Sequence, residues 1–574
     1  MITRGRIRLI SILVVGFALV LIGRLYFVQI VQGADFSLRA NEQYMRPVSG
    51  LYDRGTIYFQ DKSGTLIPAA DLASGYTVAI DPNVITAGTT SPLTLYQKLS
   101  AILPLNQQTF LADATKPNDI YEEIAKRVPK NEADAVSALK LPGVGIYQDR
   151  WRYYPEGSLA SQVVGFVGYS GTSTTGLYGL EKYYNNVLSR GNAGMYINPF
   201  AQIFSNIQNA VSGNQEGDIV TTIDPNVQQY MEQQLQAVQA KYHSVITGGI
   251  IINPETGVIY AMGATPSFNP NTYASVSDIA VYKNPLVENV YEMGSIIKAL
   301  TMAAGLDTGL VTPTTTYNDK GFLKVDGATI WNYDHRGRGP QTTMQTVLDQ
   351  SLNTGAATVA LELGHQTFEK YMDGFGLASS TGIDLPNEGT NLLRTLVSPK
   401  NIDLATAAFG QGIAMTPIST VRAWSALANG GTLITPHVVS QIRYTNGTVK
   451  NISYGPGPRV IATSTAAAIA QMLTHVYQVA LVNDGVGAVK FAHYSVASKD
   501  GTAQIAIPGG GYLPNQYLNS FCCFFPSVGS HARFLVFLYT YEPQGVEFAS
   551  QSLTPAFVNI VKYLISYYDV PPDR

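Results

Sequence analysis

A serine three residues ahead of a lysine on a helix can make a nucleophile. The two side chains share one face, and a serine oxygen attacks well only when a neighbouring base takes its proton. The chain holds such a pair in Glu292-Met293-Gly294-Ser295-Ile296-Ile297-Lys298-Ala299-Leu300. Gly294 precedes an apolar run that reaches Leu306, with Gly309 as its stop, so Ser295 falls at the start of a predicted helix. The helix N-terminus favours developing negative charge there. Lys298 can act as a base only when neutral, and burial or a second cation lowers its pKa. The spacing alone is weak evidence, because Ser137-Ala138-Leu139-Lys140 matches it equally well. That copy lies in a charged helical stretch and reads as a solvated face.

Two further segments could complete such a site. Among three Ser-x-Asn triplets (at Ser212, Ser267 and Ser351), only Ser351-Leu352-Asn353 follows an amphipathic helical approach, Thr342 to Gln350, and precedes another helical run. Its bland alternative is a helix cap. Ser498-Lys499-Asp500-Gly501-Thr502-Ala503 opens a strand and carries a second cation.

Taken in order, Ser295/Lys298, Ser351/Asn353 and Lys499/Gly501 resemble the active-site motifs of penicillin-binding proteins. Other stretches extend the resemblance: Arg54-Gly55-Thr56-Ile57-Tyr58, Gly176-Leu177-Tyr178-Gly179-Leu180-Glu181, Ala264 to Asn271, and Phe409-Gly410-Gln411-Gly412. It runs from the amino-terminal apolar segment almost to the end of the chain. The chain is thus identified as similar to class B members, the division-type or elongation-type peptidoglycan D,D-transpeptidases. The resemblance implies Ser295 as the acylated nucleophile and Lys298 as its base. Ser351 would relay the proton to the leaving group, and Asn353 would hold the substrate backbone. Lys499 would supply positive field, and Gly501 and Thr502 would contact substrate. The N–H groups of Ser295 and Thr502 would form the oxyanion hole. The implied substrate is a stem peptide ending in D-Ala-D-Ala, with β-lactams as inhibitors, no cofactor and no metal.

Two positions depart from the family pattern. Met293 stands where many relatives have Pro. Asp500 stands where they have Thr or Ser, whose hydroxyl helps bind the substrate's terminal carboxylate. A carboxylate there repels that group and raises the pKa of nearby lysines. A second reading of different class follows: a scaffold of a wall-synthesis complex whose catalysis is weakened by Asp500. A β-lactam sensor or β-lactamase is disfavoured by the long pedestal and the lack of extra spans. A built-in glycosyltransferase is disfavoured by the pedestal reading of 32–215.

The elements that must position these residues are an α/β (α+β) set. Asp224-Pro225 caps a helix carrying Val227, Met231, Leu235 and Val238 at helical spacing. Gly249 to Asn253, a Pro254-Glu255-Thr256-Gly257 turn and Val258 to Met262 read as a hairpin. Strand patterns return at Tyr494 to Ile507 and Arg533 to Tyr541, and 290–430 reads as mostly helical. Strands at both ends with helices between predict one sheet closed by both ends of the domain and covered by helices, and the resemblance implies that this sheet is antiparallel. That is the β-lactamase/transpeptidase-like arrangement. Before it, Tyr76 to Ile80 reads as a strand, Ile120 to Leu139 as an amphipathic helix broken at Pro129, and Asn192 to Gly217 as a boundary.

Composition narrows the remaining classes. A chain of 574 residues predicts roughly two to four domains of about 150 residues each. With 45% hydrophobic and 13% charged residues it is not a disordered chain. A net charge of −3 disfavours a nucleic-acid binder. Cys522 and Cys523 are adjacent and predict no disulfide framework. They read as packed strand beside Phe521 and Phe524. Trp331-Asn332-Tyr333-Asp334-His335-Arg336 reads equally as cleft lining and as a surface loop. Phe409 to Gly412 lacks the context of a phosphate loop.

Leu9 to Gly23 is almost wholly apolar and continues past Arg24 to Val31, long enough to span a bilayer. Arg4, Arg6 and Arg8 precede it and predict a cytoplasmic amino terminus. No small-x-small cleavage site follows, so a retained anchor is preferred to a signal peptide. The expected organisation is a tail at 1–8, a transmembrane anchor at 9–31, an elongated pedestal or dimerisation domain at 32–215, and a transpeptidase domain at 216–574 facing the periplasm or exterior. The resemblance implies a SEDS-type membrane glycosyltransferase, and other divisome or elongasome proteins, as partners.

Overall fold

The structure, a computed structural model, describes residues 16–17, 52–170, 173–190, 216–482, 487–507, 509–528 and 532–574. The expected anchor lies outside these residues except for Gly16 and Phe17, as does most of the Asn192 to Gly217 boundary. No helix among the described residues is long and apolar enough to cross a membrane. The described chain divides into two compact units. The larger holds Gly55–Asp71, Tyr153–Ser189 and 216–574, and the smaller is built mainly on Leu72–Arg152.

The larger unit is organised on a five-stranded antiparallel sheet, in the order Ala497–Ala506, Tyr512–Phe525, Phe534–Tyr541, Ile246–Ile252, Ile259–Thr265. Its strands come from both ends of the domain, as the pattern predicts. Phe534–Tyr541 is apolar at nearly every position because both faces are covered. Phe534, Val536 and Leu538 join one core with the helices Pro225–Tyr242 and Ala549–Tyr567. Leu535, Phe537 and Tyr539 join the other, with Leu300, Trp424 and Leu427. The period-2 alternation of a strand separates them. It also separates the two cysteines: Cys522 belongs to one core and Cys523 to the other, and both are free and buried.

Local signals account for the elements nearest the site. Asp224 caps its helix by accepting from Asn226 and Val227 N–H (3.0 and 3.4 Å). Asn253 stabilises the hairpin turn by accepting from Glu255 and Thr256 N–H. The helix Lys298–Asp307 is buried on all sides from Lys298 to Gly305, as a central helix must be. The region 290–430, expected to be mostly helical, is less than half helical, and it also holds two nested antiparallel strand pairs, the inner one a tight hairpin. Phe322–Val325 pairs with Ala328–Trp331, and Thr316–Asp319 with Gly339–Thr343.

In the smaller unit the expected Tyr76 to Ile80 segment is strand, the last part of Leu66–Ile80. The expected helix from Ile120 to Leu139 is corrected. Glu122–Val128 is a strand paired antiparallel with Tyr76 to Ile80, and only Lys130–Ala138 is helical. The residue before a proline is pushed out of the helical region, so Pro129 separates two kinds of element instead of kinking one. Ser137 and Lys140, the second Ser-x-x-Lys, are exposed.

Candidate active site

Ser295 sits in a single tight turn, Gly294–Ile297, that runs into the helix Lys298–Asp307. Gly294 takes φ +65, and its N–H donates to Gly410 O (3.3 Å). A Cβ on Gly294 would lie 2.9 Å from Thr502 O, and one on Gly410 would strike the Gly294 backbone. Gly501 is equally constrained, because its Cβ would meet Ser520 Oγ at 2.5 Å and Met293 O at 2.7 Å. Three segments distant in sequence therefore meet through bare backbone. Ser520 ties them further by donating to Met293 O (2.8 Å). Met293 itself is fully buried.

Lys298 is 1% exposed. Its Nζ lies 2.9 Å from Ser295 Oγ, 2.6 Å from Ser351 O, 3.2 Å from Ser351 Oγ and 2.7 Å from Asn353 Oδ1. Ser351 O and Asn353 Oδ1 can only accept, so they take two of the Nζ protons, and the third position of the nitrogen faces the hydroxyls of Ser295 and Ser351. Burial pushes the Lys298 pKa well below the usual lysine range; the charge of Lys499 pushes the same way, and Asp500 opposes.

Ser351 holds φ +53, a left-handed conformation that costs a non-glycine residue about 1–2 kcal/mol. That conformation turns both its carbonyl and its hydroxyl to Lys298. Asn353 opens the helix Asn353–Leu363, and its Nδ2 donates to Trp331 O (2.9 Å). The neighbouring Thr354 is locked into a buried network. Its hydroxyl bonds Asp319 and Asn332, and Asn332 Nδ2 donates to both Asp319 oxygens.

The opposite wall is the edge strand Ala497–Ala506. Lys499, 1% exposed, donates to Asp500 O (3.0 Å) and Asp500 Oδ1 (2.7 Å). Burial raises the Asp500 carboxyl, but Lys499 beside it outweighs that and holds it below the usual range. Thr502 Oγ1 accepts from Ala549 N–H (3.1 Å), which leaves its own proton free to donate.

The structure thus brings Ser295, Lys298, Ser351 and Asn353 into hydrogen-bond contact, and packs Gly501 and Thr502 against the Ser295 turn. Lys499 is paired with Asp500. The Trp331 to Arg336 stretch, read equally as lining and as loop, lies beside the site through the Trp331 carbonyl. Sequence reasoning missed Asp319, Thr354 and Ser520, which brace the motifs, and named Asn332 only within the Trp331 to Arg336 stretch. It also missed Glu292, which accepts from Gly412 N–H and Tyr512 OH (both 3.1 Å). The one available signal for the 319–332 brace was Asp326-Gly327 between two short strand-like runs, a strong hairpin cue.

A family description, the penicillin-binding protein transpeptidase domain, matches residues 247–562, and the penicillin-binding protein dimerisation domain matches 52–221. The chain is 32% identical to Stage V sporulation protein D of Bacillus subtilis (strain 168), over 99% of this chain and 87% of that protein. It is 25% identical to Peptidoglycan D,D-transpeptidase FtsI of Escherichia coli (strain K12), over 96% of this chain and 90% of that one. Among solved structures, Penicillin Binding Protein 2X from Streptococcus thermophilus matches with a TM-score of 0.72 at 19% identity, over 91% of this chain and 81% of that one. At that identity the match speaks for the fold.

Proposed function

The chain belongs to the penicillin-binding protein transpeptidase family, and from that premise we propose how its residues carry out D,D-transpeptidation. It is a serine-type peptidoglycan D,D-transpeptidase of class B. The Lys298 amine takes the Ser295 proton as the oxygen attacks the carbonyl of the penultimate D-Ala. The N–H groups of Ser295 and Thr502 face the developing oxyanion, where fixed donors are worth several kcal/mol. Ser351, within reach of Lys298, passes the proton to the departing D-Ala nitrogen. An amine of a neighbouring stem then attacks the acyl-enzyme. Asn353 holds the donor backbone, Lys499 supplies positive field, and Gly501 and Thr502 receive the terminal carboxylate region. A β-lactam acylates Ser295 in the same way.

The observation that carries this reading is the buried Lys298 amine, 2.9 Å from Ser295 Oγ, with two of its protons committed to pure acceptors. Labelling with a fluorescent penicillin tests it. Wild type takes the label, Ser295→Ala takes none, and Lys298→Ala slows labelling by about a hundred- to ten-thousandfold. Full labelling of Ser295→Ala would refute the assignment.

The Lys499–Asp500 pair favours a second reading, in which a catalytically weakened chain serves as scaffold in a wall-synthesis complex. Wild-type protein that never acquires label at Ser295 would favour it. On either reading residues 9–31 anchor the chain with its amino terminus in the cytoplasm, 32–215 form the pedestal and 216–574 the exported catalytic domain. The partner is a SEDS-type membrane glycosyltransferase.

A further inference from the structure

A row of polar side chains crosses all five strands of the sheet at one register. Thr502 pairs with Asn519, Asn519 with Thr540, Thr540 with Thr247 and Thr247 with Thr265. Directly paired residues share a face, here the one covered by the helices Pro225–Tyr242 and Ala549–Tyr567. Beside the row that face is apolar, with Phe521, Cys523, Val536 and Leu538 in its core. Thr247, Asn519 and Thr540 are fully buried. The threonines find partners: Thr247 and Thr540 share a hydroxyl bond (2.9 Å), Thr247 meets Ser244 (2.8 Å), and Thr265 donates to Gln239 Oε1 (2.6 Å). Asn519 is only half satisfied. Its Nδ2 donates to Ser552 Oγ (2.9 Å), but among the described residues nothing donates to its buried Oδ1. An unpaired buried amide oxygen is destabilising, and an apolar side chain of similar shape would remove that cost.

The bond to Ser552 holds the start of the last helix. The first N–H groups of a helix have no partner within it, and a side chain at the preceding residue commonly accepts from one of them. Phe548 makes no such bond. Thr502 supplies the acceptor from the edge strand instead, with Ala549 N–H donating to its Oγ1 (3.1 Å). Ser552 lies one turn further on, and its Oγ donates back to Ala549 O (3.4 Å). The first turn is thus tied to two neighbouring strands at one paired position, to Thr502 through Ala549 and to Asn519 through Ser552. Accepting from Ala549 fixes the rotamer of Thr502 and leaves its one proton to donate. Resting on the transpeptidase reading, in which Thr502 receives the donor's terminal carboxylate, we propose that Asn519 is a positioning residue. It holds the first turn of the last helix so that the Thr502 hydroxyl stays aimed at that carboxylate. The unpaired Oδ1 is what the core gives up for that aim.

The test compares acylation of the full-length chain, solubilised in detergent, by a penicillin and by its methyl ester, which lacks the charged carboxylate. Intact-protein mass follows both reactions. Wild type should react faster with the acid. Asn519→Leu should cut the acid-to-ester ratio of rates by about three- to tenfold, at an unchanged or higher Tm. Ser552→Ala removes the other end of the bond and should cut the ratio likewise; it carries the test if Asn519→Leu does not fold. A residue that only filled the core would slow both agents equally. A variant ratio equal to that of wild type, or a wild-type ratio at or below unity, overturns the inference and leaves the transpeptidase reading intact. A wild-type chain acylated by neither agent sinks both.

Discussion

At the scale of the residue, the Lys499–Asp500 pair bears on the proposed mechanism, in which a substrate carboxylate drawn to Lys499 would have to compete with Asp500. An unscreened like charge about 4 Å from a substrate carboxylate would cost about 4 kcal/mol at an effective dielectric of 20, roughly a thousandfold in rate. The 2.7 Å pairing with Lys499 neutralises most of that field. Asp500→Thr should therefore speed acylation by about tenfold rather than a thousandfold, measured by stopped-flow with a fluorescent penicillin; an equal or slower rate would refute this. The same carboxylate opposes the lowering of Lys298. Lys298 works only as a neutral amine, so acylation declines as pH falls through its lowered pKa. Removing the negative charge leaves Lys499 uncompensated and lowers Lys298 further. The acid limb of the pH–acylation profile should then move to lower pH in Asp500→Asn; a shift upward, or none, would count against Lys298 as the base. Ser295, Lys298, Ser351, Asn353 and Lys499 were legible because their types and order carry the chemistry themselves. Asp319 and Thr354 were not, because a bracing residue has no type of its own and is defined only by what folds around it.

At the scale of the element, the site depends on how the edge strand Ala497–Ala506 abuts the Ser295 turn. Gly501→Ala forces a Cβ toward Ser520 Oγ and Met293 O. Overpacking of this kind costs about 1–3 kcal/mol, and it displaces the turn that aims Ser295. Penicillin labelling should be lost or severely slowed, with a lower Tm by thermal melting; normal labelling at an unchanged Tm would show that the strand has slack. The Asp224 cap and the hairpin at Pro254 to Gly257 were legible because each rests on a local rule. The strand Glu122–Val128 was not. Its Glu-Glu-Ile-Ala-Lys-Arg-Val sequence suits a helix, and pairing with Tyr76 to Ile80 overrides that preference. The Phe322–Val325 hairpin was within reach, since Asp326 (φ +49) and Gly327 (φ +82) are the turn residues that such a hairpin wants.

At the scale of the whole molecule, one sheet is completed by the last strands of the chain and covered by its last helix. Ala549–Tyr567 buries Leu553, Phe557, Ile560 and Leu564 against the same core as Phe521 and Leu538. A chain ending at residue 548 leaves that apolar face uncovered, so it should be recovered as aggregate and take no penicillin label. Soluble, labelled truncate would contradict this account of the core. The fold class was legible from strands at both ends of the domain, whereas the packing that makes the end indispensable needed coordinates. Full-length protein should sediment with membranes, and a chain starting at residue 32 should not; a membrane-bound truncate would argue for a second attachment.

The seam where Gly294, Gly410 and Gly501 meet also limits what heredity can do. Every amino acid reached by a single-base change in a glycine codon carries a Cβ, and each of the three positions has backbone or a packed side chain where that atom would go. A population under antibiotic selection therefore has no neighbouring variant to sample at the seam. Adaptive change has to enter through side chains beside the seam, with Asp500 the position most open to it.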